Sequence, residues 1–490
     1  MTQIISDIQD KYEVIVGLEV HVQLSTASKA FCSDSASFGN QPNQNISSVS
    51  LGLPGALPLC NEQSIRYATK LGLAMNCKIN QHNFFDRKNY FYADLPKGYQ
   101  ITQDNQPICV GGSLKIRLED GTEKEIILNR IHMEEDAGKS IHDVDAHYSL
   151  IDLNRAGVPL LEVVTEPMIS SGEEAAAYLA ELRKLVKYLG ICDGNMEEGS
   201  MRCDANISIR LKGDQKLGNR CEVKNLNSMK NVQKAIEHEV KRQIKLVEKG
   251  EVIAQNTLNF DAVTGNTSPL RSKEMANDYR YFPEPDLLPL ILSDEFLEEI
   301  KNEMPALPEA LYQQFTGKMG LSSYDALVLT AEKSMADYFM DTSAHTAHYK
   351  TVSNWMMGAI KSYLNEHQLG FEDFKVPAQE IASMINLIES GSINHHQAKD
   401  KVFTHLLQNP NKKVSELVKE QDLMAKENKD ELSDFVAKAI EKFPDKVKEY
   451  HNGKKGVIGL FMGEVMKLSQ GKIDPKKTNQ LLIEKIESLR

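Results

Sequence analysis

Tyr12-Glu13-Val14-Ile15-Val16-Gly17-Leu18-Glu19-Val20-His21-Val22-Gln23-Leu24 alternates along its length. Val14, Val16, Leu18, Val20, Val22 and Leu24 fall on one face, and Gly17, Glu19, His21 and Gln23 on the other. That period of two is what a half-buried β-strand requires. Glu19 and His21 are then neighbours on one side, about 6–7 Å apart at Cα. Taken alone, such a face also suits a strand whose polar residues are solvated. Other stretches carry polar faces of the same type, however. Residues 201–210 alternate again, with Ala205, Ile207 and Ile209 inward and Asp204, Asn206, Ser208 and Arg210 on the other side. Residues 221–228, with Glu222, follow in the same style, and Glu162 interrupts an apolar run at 160–165. A carboxylate inside such a run is costly to bury unpaired, and an exposed face is the other way to keep it.

Residues 125–133 read as the second strand of a hairpin, with Asp120-Gly121 as its turn and 114–119 as its first strand. This strand runs into Glu134-Glu135-Asp136, where packed charge calls for a cation among the carboxylates or for a solvated turn. Two helices read as scaffold. Residues 171–190 have Ser171 and Glu174 as a capping box and Gly190 as a stop, and 228–249 are capped by Ser228 and stopped by Gly250. Between 87 and 100 cations alternate with aromatics, Arg87-Lys88-Asn89-Tyr90-Phe91-Tyr92 above all. Such a stretch suits phosphate plus a stacked base, and equally a strand with aromatic core residues. After about residue 290 strand patterns vanish and helical ones take over, the last helix opening at Asp474 and Pro475.

The totals narrow the classes. A chain of 490 residues is long enough for several domains. Its formal charge of −12 argues against a nucleic-acid coat over the whole surface but allows a local basic patch. Seven scattered cysteines without a C-x-x-C pair support neither a disulfide framework nor a cysteine zinc site. No apolar run is long enough to span a bilayer, and the N-terminus lacks a leader pattern, so a cytoplasmic protein without membrane partners is expected. No P-loop, dinucleotide fingerprint or nucleophile elbow occurs. If the strands share one sheet, Glu19, His21, Glu134, Glu135, Glu162, Asp204 and Glu222 make one acidic surface. Oxygen-rich ligands of that kind favour Mg²⁺. Lys88 or Arg210 would then meet charge on a phosphoryl group.

Several of these stretches occur in a fixed order. Gly17-Leu18-Glu19-Val20-His21 and Leu51-Gly52-Leu53-Pro54-Gly55 come first, then 87–92 and Asp94-Leu95-Pro96-Lys97-Gly98-Tyr99-Gln100. His132-Met133-Glu134-Glu135-Asp136, Asn154-Arg155-Ala156-Gly157-Val158-Pro159-Leu160, Lys224-Asn225-Leu226-Asn227-Ser228 and Asp278-Tyr279-Arg280-Tyr281-Phe282-Pro283-Glu284-Pro285-Asp286 follow. The set resembles the B subunits of aspartyl/glutamyl-tRNA(Asn/Gln) amidotransferases, GatB of the GatCAB complex, over essentially the whole chain. The resemblance implies an α+β multidomain protein: a β-rich cradle domain at 1–292, a helical domain at 293–396 and a small all-helical, tRNA-binding tail at 397–490. It also implies two partners in a heterotrimer, a glutaminase A subunit plus a small C subunit. The implied reaction is ATP-dependent phosphorylation of the side-chain carboxylate of misacylated Glu-tRNA(Gln) or Asp-tRNA(Asn), followed by amidation with ammonia. By the same likeness, ATP and Mg²⁺ lie near Glu19, His21, Glu134, Glu135, Asp204 and Glu222. Lys88 is the phosphate-facing cation and Glu162 a guide for ammonia or water. Contacts to tRNA are expected at Tyr90, Tyr92, Arg280, Lys454, Lys455, Gly456 and Lys467.

Two departures bear on this. Many members of that family hold zinc with two cysteine pairs around 32–50; here only Cys32 remains, with Asp34, Ser47 and Ser50 at the other positions, so no zinc is expected. Gln255-Asn256-Thr257-Leu258 also stands where the family has a charged pattern. Two other classes remain as rivals: a non-catalytic tRNA-binding scaffold and an unrelated metal-dependent phosphohydrolase.

Overall fold

The computed structural model of the protein describes residues 11–142, 144–272, 279–423, 429–469, 473 and 475–489. Asp278, which opens one quoted motif, and Asp474, the expected helix cap, lie outside these described residues. The chain is sheet-rich in its first part and helical in its second, an α+β architecture, and it divides into two compact units, Met1–Leu307 and Pro308–Arg490.

A ten-stranded sheet organises the first unit. Its middle is built from β1 (Tyr12–Gln23), β2 (Glu123–Glu135), β3 (Pro159–Thr165), β4 (Met201–Leu211) and β5 (Cys221–Leu226), in the spatial order β5–β4–β1–β3–β2 with every neighbour antiparallel. The alternation read from the sequence sets which face is which. Val16, Leu18, Val20 and Val22 of β1 are fully buried with Leu161 and Val163 of β3 and Cys203, Ala205, Ile207 and Ile209 of β4. Against that face pack α1 (Gly172–Tyr188) and α2 (Met229–Glu248), whose stripes Leu179, Leu182, Val186 and Val232, Ile236, Val240, Ile244 are buried in the same core. Each such side chain contributes roughly 1.5–3 kcal/mol. Because both helices lie on the apolar face, the polar face is left for chemistry.

The helix ends match their expected caps, with one difference. Ser171 Oγ accepts the Glu174 N–H at 3.0 Å, but the Glu174 carboxylate accepts from Ser170 N–H at 2.8 Å, one residue before a capping box would have it. The same carboxylate pairs with Lys124 of β2 at 2.7 Å and so ties α1 to the sheet. The expected hairpin forms too, Ser113–Arg117 pairing with the start of β2 across Gly121 at φ +86°. The helix Asp294–Glu303 belongs to the first unit, held to the helix Glu62–Ala74 through Arg66–Glu299 at 2.7 Å and Lys70–Glu303 at 2.9 Å.

A small three-stranded sheet assembles distant motifs. Asp86–Asn89 lies between Tyr99–Thr102 and Arg280–Pro283, so Lys88 stands between Gln100 and Tyr281. The proline-broken segment is therefore an edge strand, the position in which proline removes no ladder bond. Arg87 locks it with a bidentate pair to Glu284 at 2.7 and 2.8 Å.

The loop 25–58 is held by Lys29, whose fully buried ammonium donates to Asn45 O at 2.5 Å and Leu153 O at 3.3 Å. Beside it Ser50 hydrogen-bonds Asp34, and Cys32 Sγ lies 3.5 Å from Ser50 Oγ.

Among its described residues the second unit contains helices and no strand. Trp355 is buried there against His395 and Phe403. Near the C-terminus Val436, Ala439, Phe461, Val465, Leu482 and Ile486 close a core of their own. Among the described residues no helix is long and apolar enough to cross a membrane.

Candidate active site

Strand register alone brings four ionisable side chains into one row across the polar face. Arg202 of β4 stands opposite His21 of β1, His21 opposite Glu162 of β3, and Glu162 opposite His132 of β2. Two residues further along β2, Glu134 points to the same side, as a period of two demands. His21 Nε2 lies 3.3 Å from Glu134 and 3.5 Å from Glu162. His132 Nε2 lies 3.8 and 3.5 Å from the same two carboxylates. Ligand atoms of His21, Glu134 and Glu162 all fall within 4.8 Å of one another. Two ligands on opposite sides of one Mg²⁺ are about 4.2 Å apart, so a group of this span holds one such ion after closing by a few tenths of an ångström. Two carboxylates and one imidazole form a hard, oxygen-rich set, with His21 the softest donor. The residues fit a divalent cation.

The electrostatics agree. Burial pushes the Glu134 and Glu162 carboxyls up, yet His132 and His21 hold Glu134 well below and Glu162 below the ordinary carboxylate value. Burial likewise disfavours the charged His21 imidazolium, but the two carboxylates outweigh it and raise the ring to about 10. Without metal, then, a proton on His21 offsets one of the two carboxylate charges. A group raised in the folded state stabilises fully below its unfolded value, near 6.5, and loses that contribution as pH rises through about 10. In EDTA, the melting-temperature advantage of the wild type over His21→Gln should be largest between pH 4.5 and 6.5 and vanish by about pH 10. The displacement sets an upper limit of about 5 kcal/mol. An advantage that does not change with pH would remove the ion pair from the account.

This group forms part of the wall of a cavity of about 480 Å³. Lys88, Tyr90 and Gln100 from the small sheet, Asp136, Arg202, Asp204 and Lys224 also line it. Lys88 Nζ sits over the Tyr279 ring at 4.7 Å and has no carboxylate partner among the described residues. Arg202 is committed to buried Asp136 at 2.8 Å. Lys224 Nζ bridges Asp204 at 2.6 Å and Glu222 at 2.8 Å.

Not every expected residue joins them. Glu135 does not: β2 runs through Glu135 rather than ending at 133, so consecutive carboxylates are sent to opposite faces. The Glu135 carboxylate pairs with Lys97 and accepts the Ile101 N–H at 2.9 Å. Glu19 lies one step down the sheet, opposite Asp204, and accepts from Asn206 at 2.8 Å. Burial and then the charges of Glu162, Glu222 and Asp204 raise its carboxyl. Glu222 reaches the cavity only through Lys224. Tyr92 is exposed with its ring against Tyr90, and Arg280 is exposed on the edge strand. Lys454, Lys455, Gly456 and Lys467 are exposed in the second unit. Arg210, the alternative phosphate cation, pairs with Glu13 at 2.7 Å at the far end of β1. Sequence patterns assign no role to His132, Arg202 and Lys224. All three nonetheless sit at alternating positions that read as polar, or inside a quoted motif.

A β-sheet that presents carboxylates and imidazole to a cavity of about 480 Å³, the size of a small-molecule site, belongs to a recognisable class. Residues 14–298 match the GatB/GatE catalytic domain, and residues 337–486 match the GatB domain. The B subunit of the aspartyl/glutamyl-tRNA(Asn/Gln) amidotransferase of Thermodesulfovibrio yellowstonii is 45% identical over 472 residues, 96% of this chain and 98% of the relative. That of Syntrophotalea carbinolica is 46% identical over 476 residues (97% and 99%), and that of Rickettsia felis 46% over 478 (98% and 98%). The chain belongs to the family of B subunits of the aspartyl/glutamyl-tRNA(Asn/Gln) amidotransferases.

Proposed function

We propose that this protein, as the B subunit of a tRNA-dependent amidotransferase, activates the side-chain carboxylate of Glu-tRNA(Gln) or Asp-tRNA(Asn) with ATP and converts it to the amide. The observation that carries the reading is the cavity that His21, Glu134, Glu162 and Lys88 line together. The substrate carboxylate oxygen attacks the γ-phosphorus and ADP leaves. Ammonia then attacks the acyl carbon and inorganic phosphate departs, so the weak electrophile has been given a leaving group. Mg²⁺, held by Glu134, Glu162 and His21, would neutralise phosphate charge during the transfer. Lys88 lines the same cavity and supplies a further positive charge, its ammonium lying against the Tyr90 and Tyr279 rings. Glu162, expected as a guide for ammonia or water, is thereby read as a ligand first.

Ammonia comes, in this reading, from a glutaminase A subunit tied on by a small C subunit, and the complex works in the cytoplasm. The second unit docks tRNA through the end that carries Lys454, Lys455 and Lys467, and a boundary near 397 separates this tail from the preceding helices. At Cys32, Asp34, Ser47 and Ser50 the Lys29 ammonium, rather than zinc, holds the loop together.

The test is ATP cleavage by the reconstituted complex with ammonia withheld. Phosphate release should require misacylated tRNA and be absent with correctly charged tRNA. Amide formation without ATP, or cleavage indifferent to tRNA, would overturn the reading. Running both misacylated tRNAs settles which amide is made.

A further inference from the structure

His132 has no part in the chemistry derived above, although it belongs to the same row of the sheet. It stands opposite Glu162 in the pairing of β2 with β3, and two residues before Glu134 on its own strand. Its Nε2 lies 3.5 Å from Glu162 Oε2 and 3.8 Å from Glu134 Oε2. His21 meets the same carboxylates differently, with its Nε2 3.3 Å from Glu134 Oε1 and 3.5 Å from Glu162 Oε2. Each oxygen of Glu134 therefore faces its own imidazole.

The two histidines are not equivalent. His21 lines the cavity and belongs to the compact ligand group, whereas His132 is buried and belongs to neither. It reaches both carboxylates from their buried side. Its other ring nitrogen, Nδ1, is buried and has no hydrogen-bond partner among the described residues. A proton there would be stranded, so the ring meets an acceptor only through Nε2–H. A buried imidazole with one nitrogen unmet costs free energy that an apolar side chain of similar volume would not. What it adds is a donor fixed on a strand beside two glutamates, whose carboxylates would otherwise rotate about their last bonds. Metal-binding carboxylates are commonly held by such hydrogen bonds from behind, and affinity falls when the donor is lost.

We propose that His132 is a positioning residue: its Nε2–H restrains Glu134 Oε2 and the Glu162 carboxylate from the buried side, leaving Glu134 Oε1 to bind a divalent ion together with Glu162 and His21. This rests on the reading of the cavity as a metal site. It gives Glu134 one oxygen on the ion rather than two, and it makes His132 a donor to the ligands instead of a ligand.

Two measurements on the intact complex test it, with Mn²⁺ standing in for Mg²⁺, no nucleotide present, and all variants held below their melting transitions. The first is Mn²⁺ affinity, read from the paramagnetic resonance of the free ion. The amide nitrogen of Gln falls at the Nε2 position and that of Asn at the Nδ1 position. His132→Asn should therefore bind Mn²⁺ about 10- to 100-fold more weakly, and His132→Gln should stay within about threefold of the wild type. The second is the spin-echo modulation of bound Mn²⁺ by ring nitrogen. It should show one imidazole on the ion in the wild type, lost in His21→Gln and kept in His132→Gln. Unchanged affinity in the asparagine variant, equal losses in both His132 variants, or two imidazoles on the ion overturns the role of His132. Failure of the wild type to bind Mn²⁺, or bound Mn²⁺ without an imidazole, overturns the reading of the cavity instead.

Discussion

Glu134→Gln is expected to lower ATP-dependent amide formation by 10²–10³-fold or more, while the glutaminase activity of the partner subunit in the same complex survives. Glu134 is buried, faces both histidines, and has a carboxyl held well below its ordinary range. An amide in its place keeps the shape and removes the charge a divalent cation needs. The neighbouring substitution is the control. Glu135→Gln acts on the other face, where it strips Lys97 of its buried counter-ion. Its cost should appear as stability, about 3–5 kcal/mol, with amide formation per folded complex retained to within tenfold. Measuring both activities and the melting temperature of each variant separates the two. If Glu135→Gln were inactive and Glu134→Gln active, the metal would have to be moved to the opposite face of β2.

That contrast shows what is legible in the sequence. Alternation in 12–24 and 201–210 places Glu19, His21 and Asp204 on one face correctly, because period two is local geometry and needs no tertiary knowledge. The same rule carried through 132–135 separates Glu134 from Glu135 and joins His132 to Glu134. The acidic composition of 134–136 reads instead as a turn and hides that the strand continues for two more residues. Register is another matter. No local pattern says that His21 stands opposite Glu162, or that Arg280–Pro283 lies beside Asp86–Asn89, since both depend on which strands pair across more than a hundred residues. The paired cations Lys97, Arg202 and Lys224 are hidden for the same reason. A lysine in sequence looks like a solvated charge until its carboxylate is placed next to it.

Deletion of 424–490 is expected to weaken binding of tRNA by roughly 10- to 100-fold at low salt and to flatten its salt dependence. The segment can be removed cleanly because its core, from Val436 to Ile486, is its own. Lys454 and Lys455 are exposed; among the described residues their carboxylate partners are Glu449 at 3.4 Å and Glu487 at 3.7 Å, and Lys455 also lies 3.9 Å from the Tyr450 ring centre. Exposed pairs of this type are weak, so exchanging them for phosphate costs little. Lys467 is exposed in the same unit. Removing one lysine–phosphate pair should reduce the slope of log K against log salt by about 0.7–0.9. Replacing Lys454, Lys455 and Lys467 together by Ala should therefore lower the slope by about 2–3, without the deletion and with the fold intact. Affinity and slope unchanged in both forms would move tRNA docking off this unit and leave recognition to the acyl end at the cavity, where Tyr90 and Lys88 are the groups in place.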